Sequence, residues 1–252
     1  MKVERRGQIT ELIKRRKTVT NAELMELFGV SIETVRRDLD YLEQQGVLRK
    51  VYGGAAVNIS LNSEPEYASR SRTNYEEKKA IAQEAAKLIC PGDTVFLGVG
   101  TTVQAMVQYM KNIGQLTVFT IALRTAVELM EIPDCTVILP GGQLRTKELT
   151  LSGFPAEENL LNFNVDKAFI GIGGITEDGI TDFHIGEARL HRQMALNARQ
   201  SVALADSTKL GVRTMNNVCT LDQIDLVITD SNARNQSVKA LQNAGVKVIV
   251  AK

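Results

Sequence analysis

Four short strings carry residue types able to hold an anion: Gly98-Val99-Gly100-Thr101-Thr102, Pro140-Gly141-Gly142, Gly171-Ile172-Gly173-Gly174 and Asp206-Ser207-Thr208-Lys209. Glycine lets an oxyanion approach backbone N–H groups, the first turn of a helix offers unpaired donors, and lysine adds countercharge. Singly, each string is an ordinary strand-to-helix turn. Four of them at one sheet edge, with Lys209, point to a pocket for a small anionic ligand. A dinucleotide is disfavoured, because Val103 stands where GxGxxG needs its third glycine and Thr120-Ile121-Ala122 brings no acid to a ribose. The Walker pattern is also missing. Cys90, Cys135 and Cys219 are odd in number and far apart, and His184 and His191 are the only imidazoles. No pair has zinc spacing, so neither a metal nor a cofactor is expected, and free thiols suit a reducing cytoplasm.

A second group of polar side chains lies near the amino terminus. Residues 1–57 hold eleven Lys/Arg against eight Asp/Glu, whereas the rest of the 252-residue chain is slightly acidic. A small basic end before a larger acidic body makes a nucleic-acid contact worth testing. Ile9, Leu12 and Ile13 form the apolar face of a first helix, with Arg5 and Arg6 assigned to its basic exterior. Thr20 or Asn21 caps a second helix that turns Leu24, Leu27 and Phe28 inward and stops at Gly29. Ser31 caps a third, with Ile32, Val35, Leu39 and Leu42 inward, ending at Gly46. Two short helices around such a turn read as a helix-turn-helix. Val47–Val57 follows as two strands forming a basic wing, with Leu48, Val51 and Val57 completing the core.

Such a unit places Thr34, Arg36 and Arg37 toward a major groove, with Arg49, Lys50 and Tyr52 along the backbone. Helical spacing equally allows Arg36 to pair with Asp40 and Arg37 with Glu33, an ordinary solvated face. Periodicity alone leaves both readings open.

The ordered string Val30-Ser31-Ile32-Glu33-Thr34-Val35-Arg36-Arg37-Asp38-Leu39, then Leu42-Glu43-Gln44-Gln45-Gly46 and Tyr52-Gly53-Gly54-Ala55, resembles the amino-terminal domain of the DeoR family of bacterial transcriptional regulators. The resemblance implies a winged helix-turn-helix on double-stranded operator DNA, with Ser31, Thr34, Arg36 and Arg37 on the recognition helix. Residues 58–74, polar and interrupted by Pro65, read as a linker.

From Tyr75 onward apolar runs alternate with helical patterns. Seven runs, 94–99, 116–121, 136–139, 168–172, 201–205, 226–229 and 246–250, are largely continuous in apolar character rather than alternating. Helices are expected over 76–89, 102–111, 123–130, 186–198 and 233–243. Strands buried on both faces with helical crossovers mean an α/β fold with an open, mainly parallel sheet, whose ligands bind beyond the carboxyl ends of the strands. The expected domains are therefore 1–57, a linker over 58–74, and an effector-sensing and oligomerisation body over 75–252.

The segments Gly100-Thr101-Thr102, Leu139-Pro140-Gly141-Gly142, Asp166-Lys167-Ala168-Phe169, Gly179-Ile180-Thr181 and Ala205-Asp206-Ser207-Thr208-Lys209 extend the resemblance to the DeoR-type effector domain, whose fold resembles ribose-5-phosphate isomerase. The resemblance implies a repressor of a carbohydrate-utilisation operon, released by a phosphorylated sugar or related metabolite. Gly100, Thr101 and Thr102 would hold phosphate, Gly141, Gly142 and Arg145 would border the pocket, and Gly173, Gly174, Glu187 and Lys209 would complete it. The chain departs from the family pattern at Gly98, where many relatives carry an acid, and at Ile121, where they carry an amide. An enzyme would need a general base with a partner. Asp182 and Glu187 are the nearest candidates, but no convincingly spaced carboxylate pair accompanies the phosphate loop. Limited contact by one small module argues for a homodimer or higher homo-oligomer on DNA. The amino terminus lacks a signal-peptide apolar core and no apolar run has membrane-span length, so a cytoplasmic protein without membrane contact is expected.

Overall fold

The computed structural model describes residues 2–16, 18–44, 47–51, 53–57 and 64–252. In the amino-terminal unit, α1 (Lys2–Arg16) leads through β1 (Thr18–Thr20) into α2 (Asn21–Phe28). The Thr20 side chain accepts from the Glu23 N–H while Glu23 accepts from the Thr20 N–H, a reciprocal cap, and Gly29 closes the helix at φ 59°. The recognition-type helix α3 (Ile32–Gln44) starts with the Thr34 N–H donating to Ser31 Oγ at 3.4 Å. Strands β2 (Leu48–Val51) and β3 (Gly54–Val57) form the wing, and β1 pairs with β3 to make a three-stranded sheet in the order β1-β3-β2. The β1–β3 pairing brings backbones so close that a Cβ at Gly54 would lie 2.1 Å from the Val19 carbonyl oxygen.

Ile9, Ile13, Leu24, Val35, Leu39, Leu42 and Leu48 meet in one core with Val19 and Ala55. Three expected core residues lie outside it: Leu27 and Val51 are 61% and 38% exposed, and Ile32 is half-buried apart from the cluster. Leu48 and Val51 are three apart in β2, so they point to opposite faces of the strand, and only Leu48 faces the core. Leu27 lies on the outer side of a helix of only 8 residues whose buried anchor is Leu24. Gly46 and Tyr52 lie outside the described residues, as do the side chains of Arg49 and Val57.

The second unit begins with α4 (Tyr67–Arg72) and α5 (Tyr75–Ala86). It continues through β4 (Thr94–Leu97), α6 (Thr101–Gln104), α7 (Val107–Met110), β5 (Leu116–Thr120), α8 (Leu123–Leu129) and β6 (Cys135–Ile138). The hairpin β7 (Gln143–Arg145) and β8 (Thr150–Ser152) precedes α9 (Phe154–Leu161) and β9 (Val165–Gly171). Then come β10 (Gly174–Thr176), β11 (Gly179–Asp182), α10 (Ile185–Leu196), β12 (Ala198–Leu204), β13 (Asn216–Cys219), β14 (Leu226–Asp230), α11 (Asn235–Asn243) and β15 (Lys247–Ala251).

All seven apolar runs join one parallel sheet in the order β15-β14-β12-β9-β4-β5-β6. Alternate residues feed two cores. Val95, Leu97, Phe169 and Val202 pack on one face with Ile81, Ala82 and Met106, while Phe96, Ala168, Ile170 and Ala203 pack on the other with Leu160, Leu190 and Met194. Burial on both faces explains the largely apolar character of the inner strands β4, β5 and β14 and of the later halves of β9 and β12.

Three features differ from expectation. The helix expected over 102–111 is broken between α6 and α7. A small antiparallel sheet, β10-β11-β13, sits beside the main one. Residues Tyr67–Arg72, expected within a linker, form α4, because their arginine and the preceding Glu64 find opposite charges in the body.

Candidate functional site

In the amino-terminal unit, Arg36 and Arg37 are exposed on α3, and neither guanidinium has a hydrogen-bond or ion-pair partner among the described residues. The pairing of Arg36 with Asp40 does not form. Asp40 instead accepts from Lys50 Nζ, and the Lys50 N–H donates to Glu43 Oε1 at 2.6 Å, which ties the wing to α3. The exposed ammonium of Lys50 is held above its ordinary lysine value chiefly by that hydrogen bond to Asp40. Ser31 and Thr34 lie at the start of α3, with their hydroxyls 3.2 Å apart. Two unpaired guanidiniums beside two hydroxyls on the first turns of an exposed helix are suited to phosphate oxygens and base edges.

The buried side of α3 holds a residue that the sequence analysis left unassigned. Asp38 is 1% exposed and accepts from Arg5 Nε and Arg6 Nε, each at 2.7 Å. Arg6 also lies 3.7 Å over the Tyr41 ring. The two arginines assigned to a basic exterior therefore fasten α1 to α3. A signal existed: Asp38 sits between Val35 and Leu42 on the apolar stripe, where an acid needs a partner.

In the body, the strand order reverses direction between β4 and β9, since the chain runs outward from β4 to β6 on one side and from β9 to β15 on the other. At such a switch point the loops after adjacent strands part and leave a crevice. Here they press together at their base. A Cβ at Gly171 would lie 2.0 Å from the Val99 carbonyl oxygen, and the Gly98 N–H donates to the Phe169 carbonyl at 2.9 Å.

The departure at Gly98 has a physical counterpart. A Cβ there would lie 2.7 Å from Nε2 of the buried His191, which accepts from the Val99 N–H at 2.9 Å. With Nε2 accepting, the ring proton belongs on Nδ1, 3.3 Å from Asp182 Oδ2. An imidazole thus fills the space an acid would need, and Ile121 is fully buried.

Gly100 caps α6 at φ 133°, no side chain caps that helix, and Thr101 and Thr102 form its first turn. Gly100 lines a small cavity with Tyr67, Arg70, Arg124, Glu148 and Thr150. Arg145 and Glu187 come together at 3.1 Å, and Thr150 Oγ1 donates to Glu187 at 2.5 Å. Arg145 also binds Glu64 at 2.6 Å, Glu64 contacts Arg70 at 2.9 Å, and Arg70 reaches Glu148. Lys209 is half-buried, and its ammonium has no hydrogen-bond or ion-pair partner among the described residues and lies 6.0 Å from the Phe183 ring. Burial holds it below the ordinary lysine value, against the attraction of Asp206, Asp182 and Glu64.

Three of the remaining expected glycines lie against packed neighbours and one does not. Gly142 faces the Ser152 carbonyl, Gly173 faces Thr214 and Asp182, Gly174 faces the Val212 carbonyl, and Gly141 has open space around it. None of the four lines the cavity at Gly100. Two larger hollows of about 240 and 300 Å³ around the small sheet contain none of the expected site residues. Among the described residues no cluster of three His, Cys, Asp or Glu is placed to hold a metal, and no helix is long and apolar enough to cross a membrane.

A helix-turn-helix with free arginines, joined in one chain to an open α/β unit with a charged crevice, defines a DNA-binding transcriptional regulator with a sensor domain. Residues 5–60 match the DeoR-like helix-turn-helix domain and residues 73–231 the DeoR C terminal sensor domain. The chain belongs to the DeoR family. It is 38% identical over 249 residues to the HTH-type transcriptional regulator GolR of Listeria innocua, covering 98% of each chain. It is 34% identical over 229 residues to the glycerol-3-phosphate regulon repressor of Escherichia coli, covering 90% of each. Both relatives are named as regulators of transcription, one of them a repressor. Ribose 5-phosphate isomerase A from Methanocaldococcus jannaschii overlaps 54% of this chain and 55% of its own at 20% identity and a TM-score of 0.39.

Proposed function

We propose that the protein represses a carbohydrate-utilisation operon and is released from its operator by a phosphorylated sugar or related metabolite. The observation that carries this reading is the charged crevice at the β4/β9 switch point, where Arg70, Arg145 and the unpaired Lys209 gather beside the uncapped first turn of α6. Cations offer a phosphate its countercharge, while Glu187 and Thr150 suit hydroxyl groups. A relative whose name includes glycerol-3-phosphate supports the same ligand class.

In this reading Gly100, Thr101 and Thr102 hold the phosphate, Arg145, Glu187 and Lys209 meet the rest of the ligand, and Gly141, Gly142, Gly173 and Gly174 shape the surrounding loops. Ser31, Thr34, Arg36 and Arg37 read the operator, and Arg49, Lys50 and Tyr52 follow its backbone. One small DNA-binding module buries roughly 600–1,000 Å² of its own surface on DNA. Useful specificity therefore calls for a cytoplasmic homodimer or larger assembly joined through the sensor domains. Residues 1–57 form the DNA-reading part, and 75–252 the sensing and oligomerising part.

The test is fluorescence anisotropy on duplexes selected from the host genome, titrated with phosphorylated C3 to C6 metabolites. One metabolite should weaken the complex at least tenfold, and Lys209→Met should blunt that response while sparing binding without metabolite. A complex indifferent to every phosphorylated metabolite would refute the proposal.

A further inference from the structure

The cavity at Gly100 is closed by residues that precede the sensor core. The Tyr67 hydroxyl donates to Gln104 of α6, the Arg124 guanidinium lies 4.4 Å over the Tyr67 ring, and Arg70 joins Glu64 to Glu148. From α5, the buried Lys78 ammonium donates to the Arg70 carbonyl and, at 2.8 Å, to the Thr73 carbonyl, holding the end of α4 in place. What stays open measures about 10 Å³, room for about one water. A phosphorylated metabolite enters only if these side chains move.

Charge explains which group must leave. Two guanidiniums, Arg70 and Arg145, meet three carboxylates, Glu64, Glu148 and Glu187. Both guanidiniums are already engaged by these carboxylates, so a phosphate reaches them only as one carboxylate withdraws. Glu64 alone touches both guanidiniums, at 2.9 and 2.6 Å, and it alone of the three lies ahead of α4, in the part of the chain that leads from the DNA-reading unit. Burial pushes its carboxyl above the ordinary value, so the ionised group regains hydration when it leaves. A phosphate, in turn, presents oxygens that guanidinium forks bind in pairs.

We propose that Arg70 is an effector-binding residue and that Glu64 is the internal anion a phosphorylated effector displaces from Arg70 and Arg145, so that binding frees the 64–72 segment. The proposal rests on the reading of this crevice as the effector site. It adds the residue that senses occupancy and the element that moves.

The experiment uses the full chain with inorganic phosphate as probe, by calorimetric titration at low salt and by hydrogen–deuterium exchange over 67–72. Glu64→Gln should bind phosphate at least tenfold more tightly than wild type. Glu64→Gln combined with Arg70→Lys, which keeps the charge and loses the fork, should lose most of that gain. In the wild type, saturating phosphate should speed exchange in 67–72. Equal or weaker phosphate binding by Glu64→Gln, an undiminished gain in the double variant, or unchanged or slower exchange in 67–72 would each overturn the proposal. The exchange measurement needs no variant to fold. If phosphate displaces the segment as described and operator affinity stays constant, the exchange of anions stands and the regulatory reading of the crevice fails instead.

Discussion

Asp38 offers a perturbation whose electrostatic and structural consequences have opposite signs. In the D38N protein, shape is kept but the acid that holds Arg5 and Arg6 at 2.7 Å is lost, and an amide N–H₂ now faces their donors. Asp38 is 1% exposed and the two arginine side chains are 18% and 15% exposed, so the pairing is poorly screened. Removing one partner of a buried ion pair costs about 3–5 kcal/mol. A core as small as that of the amino-terminal unit supplies only about 3–5 kcal/mol in all. The substitution therefore removes roughly the whole stability of the unit, while one extra positive charge on a basic surface is worth about 1 kcal/mol toward DNA. Unfolding wins. Operator affinity, read by anisotropy at fixed salt, should fall at least tenfold although the protein has become more basic, and amide exchange should accelerate across 2–57 while the sensor domain keeps its protection. If the D38N protein bound its operator as tightly as wild type with undisturbed exchange in α1 and α3, the clamp would not be what holds these helices together.

Arg36→Ala and Arg37→Ala each remove an unpaired, exposed guanidinium, so affinity should drop by about 1–3 kcal/mol for a base contact, or the salt slope should shrink by about one for a phosphate contact, with no change in melting temperature. A gel-shift titration at two salt concentrations separates these outcomes. Gly171→Ala drives a Cβ to within 2.0 Å of the Val99 carbonyl oxygen; the sensor domain should lose about 1–3 kcal/mol or more in denaturant unfolding. Lys78 has its ammonium pushed down to about 8 by burial. The unfolded chain then binds more protons than the folded one between about pH 8 and the ordinary lysine value near 10.5. Its contribution to stability should therefore rise with pH across that window. The difference in unfolding free energy between wild type and Lys78→Met, followed from pH 7 to 10.5, measures it, and a flat or falling difference would contradict the assignment.

Much of this molecule is written locally in the chain. The reciprocal cap of Thr20 and Glu23, the stop at Gly29 and the Ser31 start are short-range signals, and the helix-turn-helix follows from them. The seven apolar runs became the seven strands of the parallel sheet because a strand covered on both faces needs apolar residues at successive positions, a property visible without knowing the neighbours. The order of Gly100, Thr101 and Thr102 after such a run likewise located one lip of the crevice.

Periodicity reports which face of an element is buried and says nothing of what covers it. Arg5 and Arg6 read as a solvated exterior until α3 presented Asp38, 33 and 32 residues away. Glu64 and Arg70 read as linker charges until Arg145 and Glu148, 81 and 78 residues on, supplied their partners. The vacancy at Gly98 became intelligible once His191, 92 residues from the Val99 N–H donating to it, filled the space. Most helices and the membership of the main parallel sheet are set by patterns within a few turns or strand repeats, so the sequence by itself determined them, whereas α4, the break between α6 and α7 and the small sheet β10-β11-β13 emerged only in the tertiary structure. The clamp on α3, the closure of the crevice by α4 and the imidazole beneath Gly98 each depend on the distance between charges remote in the chain, and only the tertiary structure decides that distance.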